Sequence, residues 1–240
     1  LLLPLDRRRS FCITLWMRIC FLASCLTLFA LFSWAKSPDP FTNPFDNPVD
    51  DSDLPRVLII GDSISIGYTP RVRKLLQNKA NVHRPATNCR WSAFGEENID
   101  EWIGESKWDL IHFNFGLWDW YGWEQEQKAT PASYAKNLDG IVRKLKKTQA
   151  RLVFAVTTPP CLGPERKAKI VVSEGRANEF NKAAIQVMIN HGVFRNDLYS
   201  LVVKNRVKYQ RGENDVHYTE EGRELLAKQV ADFIGKVLNK

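Results

Sequence analysis

Short apolar runs of strand length alternate with stretches of helical periodicity between residues 55 and 238. An uninterrupted apolar run such as 57–60 is typical of a parallel strand that is covered on both faces. Regular alternation of this kind, with right-handed crossovers, predicts a doubly wound α/β sheet. The predicted strands are 57–60, 80–86, 110–115, 152–156 and 193–203, and the predicted helices are 70–79, 96–104, 134–145, 174–191 and 219–238.

The segment 1–35 has the pattern of an export signal rather than of a folded domain. Basic residues, among them Arg18, precede an apolar run at 19–34 that ends beside Ala35. A basic start, an apolar core and a small-residue exit are the marks of a secretory signal peptide. We therefore expect cleavage, secretion or release to a periplasm, and no stable membrane association afterwards. A retained anchor is the alternative, since the run is only slightly shorter than a membrane span.

The rest of the chain divides into a linker and one domain. Residues 36–54 carry Pro, Asp and Asn without periodicity, which predicts an extended or disordered linker. The single folded domain is then expected to cover 55–240. The formal net charge is +7, but part of it lies in the leader and the remaining lysines are scattered along helix faces. A nucleic-acid partner is therefore not expected.

Cys89 and Cys161 are the cysteines outside the leader. An even pair in an exported protein allows a disulfide, and two free or buried thiols are the alternative. Neither cysteine has a neighbouring Cys or His at the spacing of metal ligands. We predict no metal site and no cofactor.

The first predicted strand ends in Gly61-Asp62-Ser63-Ile64-Ser65, which places Ser63 on a tight turn into a helix. Backbone amides and the helix dipole at such a turn suit an oxyanion. The stretch lacks the Gly-Lys-Ser/Thr ending of a P-loop and does not match G-x-G-x-x-G, so it does not indicate phosphate binding.

Asp215 and His217 precede the last predicted helix, for which Thr219 is the expected N-cap. A serine nucleophile needs a base to take its proton, and an imidazole needs a carboxylate to fix its tautomer. The other three histidines fall within strand patterns or at a helix end. The predicted catalytic residues are therefore Ser63, His217 and Asp215.

Taken together, these segments resemble the SGNH (GDSL-type) hydrolase family. Ser63 in GDSIS is similar to the first block of the family, and Gly-Leu-Trp-Asp at 116–119 stands in the place of its Gly-x-Asn-Asp block. The Asp215/His217 segment is similar to the final block. The resemblance implies a flavodoxin-like, three-layer α/β/α sandwich with a parallel sheet of about five strands. It also implies hydrolysis of esters through an acyl-enzyme.

The resemblance implies an oxyanion hole formed by the serine amide, a glycine amide and an asparagine side chain. This chain departs from that pattern at two of the three positions. A tryptophan replaces the asparagine, so an indole N–H or another asparagine amide is expected to donate. No glycine stands at the second block, so a backbone N–H of a different residue is expected there. The candidate donors are Ser63, Asn88, Cys89, Arg90, Asn114 and Trp118.

The acid of the family lies three residues before the histidine, and here that position is Asn214. Asp215 is the better candidate because only it carries charge. Aromatic residues are concentrated beside the predicted site, and flat aromatic faces bind sugar rings or acyl groups. The alternative is that these rings only pack a loop onto the domain. The predicted substrate-binding residues are Asp62, Trp118, Trp120 and Trp123.

These features predict an exported serine esterase whose partner is a small-molecule or carbohydrate ester. Acetyl groups on carbohydrate are the expected substrate, and lipid esters are the alternative within the same class. The second hypothesis is a catalytically weak relative that binds a glycan or another partner through its tryptophan loop. The replacement of the family asparagine by Trp118 favours this second hypothesis.

Overall fold

The computed structural model describes residues 41–240, so the predicted leader lies outside the described residues. Its centre is a sheet of five parallel strands, which are β1 (Arg56–Ile60), β2 (Asn81–His83), β3 (Leu110–Phe113), β4 (Arg151–Val156) and β5 (Phe194–Asp197). Their order across the sheet is β2-β1-β3-β4-β5. Val57 of β1 pairs with Val82 of β2 on one side and with Leu110 of β3 on the other.

Helices cover both faces of the sheet. From β1 the chain adds β2 on one side of the sheet and then returns to add β3, β4 and β5 on the other. Because each crossover is right-handed, the helix after β1 and the later crossover helices lie on opposite faces. The first and last long helices pack against each other, and the other three long helices pack side by side. The helices are α1 (Ser63–Leu75), α2 (Ser92–Ile103), α3 (Leu117–Tyr121), α4 (Pro131–Lys146), α5 (Glu174–His191), α6 (Leu198–Val202), α7 (Arg206–Tyr209) and α8 (Glu220–Leu238), with a 3₁₀ turn at Val203–Asn205.

Side-chain caps fix where the long helices other than α2 begin. Thr130 and Ser133 form a reciprocal capping box at α4, and Pro131 occupies the first turn, where its missing N–H is not needed. Ser173 caps α5. Thr219 accepts a hydrogen bond from the Gly222 N–H at 3.2 Å, which confirms its predicted role as the N-cap of α8.

Several predicted elements differ from the structure in their bounds or type. Of the predicted fifth strand, 193–203, only Phe194–Asp197 is extended, and Leu198–Val202 forms the helix α6 instead. The first helix begins at Ser63 rather than 70, and Pro70 lies inside it. The segment before the last helix, for which no strand was predicted, forms β7 (Asp215–Tyr218), which pairs antiparallel with β6 (Gln210–Gly212). Propensity misses the start of α1 because β-branched residues, glycine and proline weaken its helical pattern. It misses β7 because the small two-stranded sheet depends on pairing with a neighbouring strand.

The segment 41–54, predicted as an extended linker, is held against the domain. The Asn47 amide donates to the Arg84 carbonyl at 3.0 Å, and the Asp51 N–H donates to the Asn81 side chain at 3.0 Å. Asp50 contacts His83 at 2.6 Å. These contacts make the segment part of the same compact unit as the sheet.

Cys89 and Cys161 are both buried and both free, so they form no disulfide. The Cys161 sulfur lies 3.2 Å from the Tyr121 hydroxyl instead. Within residues 41–240, no helix combines the length and apolar character needed to cross a membrane. Over the same range, no cluster of His, Cys, Asp and Glu side chains is arranged to hold a metal ion.

Candidate active site

Ser63 is the first residue of α1, three residues beyond the end of β1. Asp62 is the N-cap, and its carboxylate accepts the Ile64 N–H at 3.0 Å. This hydrogen bond fixes the turn and presents the Ser63 hydroxyl at the carboxyl edge of the sheet. Asp62 itself is only 2% exposed. The prediction that Asp62 binds substrate is therefore wrong, because its carboxylate is buried in capping the helix.

His217 connects the serine to a carboxylate. Its Nε2 lies 2.9 Å from the Ser63 Oγ, although the two residues are 154 positions apart. Its Nδ1 lies 2.6 Å from the Asp215 Oδ1, which also accepts the His217 backbone N–H at 3.0 Å. Side chains two residues apart on a strand point to the same face, and β7 thereby places acid and imidazole side by side. The three residues predicted as catalytic form one continuous chain of hydrogen bonds.

Asp215 is held on its other oxygen by two arginines. Its Oδ2 lies 3.1 Å from both Arg166 and Arg211. Burial alone would raise the pKa of Asp215, but hydrogen bonds from His217 and the neighbouring positive charges outweigh that effect and lower it. Asp215 is therefore an ionised acceptor at neutral pH. Asn214 offers only its backbone carbonyl, which accepts the Arg166 N–H at 3.1 Å.

Two of the candidate oxyanion residues lie at the edge of the sheet that carries Ser63 and have an N–H group that is not otherwise used. The Ser63 N–H has no intrahelical partner, because it belongs to the first turn of α1. Asn88 lines the same cleft as Ser63 and His217. Its Oδ1 accepts the Arg90 N–H at 3.1 Å. This bond fixes the orientation of the amide, and its Nδ2 makes no hydrogen bond to any residue within 41–240.

The other backbone and amide candidates have their donors engaged elsewhere. The Cys89 N–H donates to the Gly61 carbonyl at 3.3 Å, and the Arg90 N–H donates to Asn88. The Asn114 Nδ2 donates to the Ala155 carbonyl at 2.7 Å and to the Thr157 hydroxyl at 3.0 Å. The structure therefore contradicts an oxyanion role for Cys89, Arg90 and Asn114. The indole N–H of Trp118 makes no hydrogen bond within 41–240, and its role as a donor stays a prediction.

The turn after Asn88 shows why a glycine suits the second block. Arg90 has a φ of 54°, in the left-handed region that favours glycine. The left-handed conformation of an arginine costs about 1 kcal/mol of folding free energy. The guanidinium of Arg90 forms an ion pair with Glu124 at 3.2 Å and lies over the Phe94 ring at 5.2 Å from its centroid.

A buried arginine, which the sequence analysis missed, supports both the serine turn and the Asn88 turn. Arg84 is 1% exposed. Its guanidinium donates to the Gly61 carbonyl at 3.3 Å and to the Thr87 carbonyl at 3.1 Å. It also donates to the Ser65 hydroxyl at 3.1 Å. One side chain therefore ties together the two backbone segments that carry the Ser63 and Asn88 donors.

An open cleft of about 510 Å³ lies over Ser63 and His217. Its aromatic wall consists of Trp118, Tyr121 and Trp123. The rings of Tyr121 and Trp123 are stacked with centroids 4.6 Å apart, and the rings of Trp118 and Trp123 are T-shaped with centroids 5.4 Å apart. Trp118 and Trp123 therefore lie where a bound substrate would contact them. A larger cavity of about 780 Å³ lies at the amino ends of the strands and contains none of the predicted catalytic residues.

Trp120 does not reach the cleft. It is 1% exposed and belongs to the core. Trp118 and Trp120 lie in α3, where two positions correspond to a rotation of about 200°. If one faces the cleft, the other must face the core. The prediction that Trp120 binds substrate is wrong for this reason.

Glu165 orders the opposite wall of the cleft and had no recognisable signal in the sequence. It is 3% exposed. Its Oε2 accepts the Trp123 indole N–H at 2.9 Å and the backbone N–H groups of Lys167 and Ala168, each at 2.8 Å. A single buried carboxylate therefore holds both the aromatic wall and the loop that carries Arg166.

Asp119 joins α3 to the start of α2. Its carboxylate accepts the hydroxyl of Ser92 at 2.5 Å and the Ser92 N–H at 3.1 Å. Burial raises the pKa of Asp119 to about 7. This contact fixes α3 to the start of α2, where Trp91 immediately precedes the helix and lies with its ring centroid 6.0 Å from that of Trp118.

A three-layer α/β/α sandwich with serine, imidazole and carboxylate at the carboxyl edge of its sheet is the architecture of the SGNH hydrolases. The GDSL-like lipase/acylhydrolase family model matches residues 59–225, and the chain belongs to that family. It is accordingly an ester-hydrolysing enzyme. None of the curated proteins matches this chain significantly in sequence.

Solved structures share the fold at low sequence identity. The lipase/acylhydrolase from Enterococcus faecalis is 19% identical with a TM-score of 0.63, over 76% of this chain and 96% of that one. Est24, a carbohydrate acetylesterase from Sinorhizobium meliloti, is 12% identical with a TM-score of 0.64, over 76% and 99%. The acetyl xylan esterase AlAXEase is 14% identical with a TM-score of 0.62, over 75% and 99%. These likenesses confirm the predicted fold.

Proposed function

We propose that this chain is an exported serine esterase that removes small acyl groups, acetyl first among them, from carbohydrate. The observation that carries the proposal is the unbroken chain of hydrogen bonds from Ser63 through His217 to Asp215, which opens into an aromatic cleft. Asp215 is the acid in this proposal because it contacts the imidazole directly.

In the proposed acylation step, the Ser63 Oγ attacks the ester carbonyl while His217 Nε2 accepts the hydroxyl proton. Asp215 accepts the Nδ1–H, which keeps Nε2 free to act as a base and stabilises the imidazolium that forms. The tetrahedral intermediate then collapses. Its bond to the alcohol oxygen breaks, and His217 returns the proton to that oxygen as the alcohol leaves.

In the proposed deacylation step, a water molecule takes the place of the alcohol. His217 accepts a proton from the water as its oxygen attacks the acyl-enzyme carbonyl. The second tetrahedral intermediate expels the Ser63 oxygen, which regains its proton from His217. The products are a carboxylic acid and the free serine.

Both intermediates carry a negatively charged oxygen that needs donors in fixed positions. The Ser63 N–H and the Asn88 Nδ2 supply them in this proposal. Because Arg84 holds both segments through the Gly61 and Thr87 carbonyls, the donors do not need to reorganise during the reaction.

Three observations support carbohydrate as the alcohol part. The half-buried rings of Trp118 and Trp123 line the cleft and provide aromatic surface of the kind that sugar rings contact. The rim of the cleft carries charged side chains, which suit a hydrated polar substrate better than a lipid tail. Two of the structures with this fold are of a carbohydrate acetylesterase and an acetyl xylan esterase.

Export forms part of the proposal and rests on the sequence of 1–35, where basic residues precede an apolar run and a small-residue exit. Action outside the cytoplasm would bring the enzyme to extracellular glycans. N-terminal sequencing of the protein recovered from culture medium or periplasm tests this part separately from the chemistry.

Labelling by a fluorophosphonate tests the nucleophile, and a panel of acetylated sugars and short-chain aryl esters tests the reaction. We expect labelling and acetate release, both abolished by Ser63→Ala. Ser106→Ala, at an exposed loop serine outside the cleft, serves as the matched control and should label normally. A folded wild-type protein that neither labels nor hydrolyses any ester would refute the enzyme and support the glycan-binding relative instead.

A further inference from the structure

The rim of the candidate active-site cleft has more positive than negative side chains. Lys128, Arg166 and Lys167 line it directly. Arg90 and Arg211 stand next to it through their ion pairs with Glu124 and Asp215. The cations of this rim are Arg90, Lys128, Arg166, Lys167 and Arg211, and its carboxylates are Glu124, Glu165 and Asp215.

Each of these carboxylates is already engaged. Glu124 pairs with Arg90 at 3.2 Å, and Asp215 is shared between two arginines and His217. Glu165 is buried beneath the loop and accepts three N–H groups. None of them is therefore available to neutralise the lysines of the rim.

Lys128 and Lys167 are exposed, and neither ammonium has an ion-pair partner among residues 41–240. Arg166 uses one nitrogen on Asp215 and remains 58% exposed. Unpaired cations around a concave site attract anionic ligands and raise their local concentration. A neutral acetylated sugar would make no use of them.

We infer that the substrate is an acyl ester of an anionic saccharide, whose carboxylate or sulfate group is bound by Lys128, Lys167 and Arg166 while its ester reaches Ser63. This inference rests on the proposed esterase function and narrows its substrate class. The aromatic wall contacts the sugar ring, and the cations of the rim favour sugars that carry a negative charge. A uronate and a sulfated sugar present the same anionic chemistry to this rim.

The test compares substrates that differ only in charge. One pair is an acetylated uronic acid disaccharide and the same compound with its carboxylate converted to a primary amide. The second pair is an acetylated disaccharide with and without a sulfate group. Acetate release gives kcat/KM for each compound at about 20 mM and about 300 mM salt, because salt screens exposed charges.

We expect the anionic member of at least one pair to be preferred about tenfold at low salt, since each exposed ion pair contributes roughly 1.5- to 5-fold. High salt should reduce the preference to about threefold or less. The Lys128→Gln/Lys167→Gln double variant should lower the ratio of anionic to neutral turnover by roughly 2- to 10-fold. Lys182→Gln, at an exposed lysine of α5, is the matched control and should leave the ratio unchanged.

Equal turnover of both members in both pairs, beside normal fluorophosphonate labelling and aryl acetate hydrolysis, overturns this inference and leaves the esterase standing. So does a preference that neither salt nor the double variant reduces. A protein that neither labels nor hydrolyses aryl acetates overturns the esterase and this inference together. The pair that shows the preference identifies the anion as a carboxylate or a sulfate.

Discussion

Asn88 is the residue whose replacement most directly tests the proposed oxyanion hole. Its two side-chain atoms have separate tasks, because Oδ1 accepts the Arg90 N–H at 3.1 Å while Nδ2 remains available at the cleft. Asn88→Asp retains an acceptor for Arg90 and replaces the donor with an oxygen. Asn88→Ala removes both atoms. The two variants therefore separate support of the turn from stabilisation of the transition state.

Loss of one oxyanion donor lowers kcat about 100- to 1,000-fold, which corresponds to roughly 3–4 kcal/mol of transition-state stabilisation. We expect this loss in both variants, and at least as large a loss in Asn88→Asp, since a carboxylate repels the developing charge. Loss of the hydrogen bond to Arg90 costs about 1 kcal/mol of folding stability. That loss should appear only in Asn88→Ala, as a decrease in Tm of about 2–4 °C for a domain of this size.

The assay is aryl acetate hydrolysis with kcat and KM measured separately, combined with thermal unfolding of each variant. KM should change little, because the donor acts on charge that develops in the transition state. Asn178→Asp, at an exposed asparagine of α5, introduces the same charge away from the cleft and should leave both readouts unchanged. If Asn88→Asp retains kcat within about threefold of wild type, the donor is another group, and the Trp118 indole becomes the next candidate.

Three further predictions concern the groups around the nucleophile. Asp215→Asn should lower kcat by about 10⁴-fold through the wrong imidazole tautomer, whereas Asn214→Ala should have little effect; the reverse ranking in steady-state assays would reassign the acid. Arg84→Met should leave buried carbonyls without donors at about 1–3 kcal/mol each, and a Tm within about 2 °C of wild type would contradict its supporting role. Glu165→Ala should release the Trp123 indole and raise KM for acetylated sugars severalfold more than for aryl acetates, which matched kinetics on the two substrates would detect.

The decrease of folding stability at acidic pH tests whether Asp215 is ionised in the folded protein. The pKa of this carboxyl is lowered in the folded protein from its value of 3.8 in the unfolded chain. Its ionised form therefore contributes to the free energy of unfolding at pH values above 3.8. That contribution is lost as the pH falls through the lower pKa of the folded protein. Wild type should therefore lose stability below about pH 4 more steeply than Asp215→Asn. Urea unfolding between pH 3 and 7 measures this, and parallel curves for the two proteins would contradict the ionised carboxylate.

The spacing of apolar residues predicted the sheet and the long helices, because buried positions recur at regular intervals along a strand or a helix. The apolar runs of β1, β3 and β4 are fully covered strands, and α5 is helical over the whole of its predicted span. Ser63 and His217 could be found for a related reason. Residues that follow a strand or precede a helix lie at the edge of a doubly wound sheet, where ligands bind. The order of strands and helices along the sequence therefore indicates that Ser63 and His217 lie at this edge.

The groups that support the site could not be predicted in the same way. Arg84 and Glu165 are charged residues in irregular segments, and their function depends on backbone groups distant in sequence. Charged side chains are rarely fully buried, so composition favours exposure at both positions. Trp118 and Trp120 looked equivalent because α3 is too short to show helical periodicity. Their separation into cleft and core requires the helix to be known.

The loop 161–170 links substrate binding to catalysis through two adjacent residues. Glu165 faces inward and holds the Trp123 indole, whereas Arg166 is more exposed and pairs with the acid at 3.1 Å. The Arg166 N–H also donates to the Asn214 carbonyl at 3.1 Å, which ties the loop to the strand that carries Asp215 and His217. Any movement that widens the aromatic wall must therefore also weaken the support of Asp215. Because the Glu165 carboxylate holds both the aromatic wall and the loop that carries Arg166, a change at Glu165 should alter both KM and kcat. With Asn88 as the oxyanion donor, a change at Trp118 should alter mainly KM.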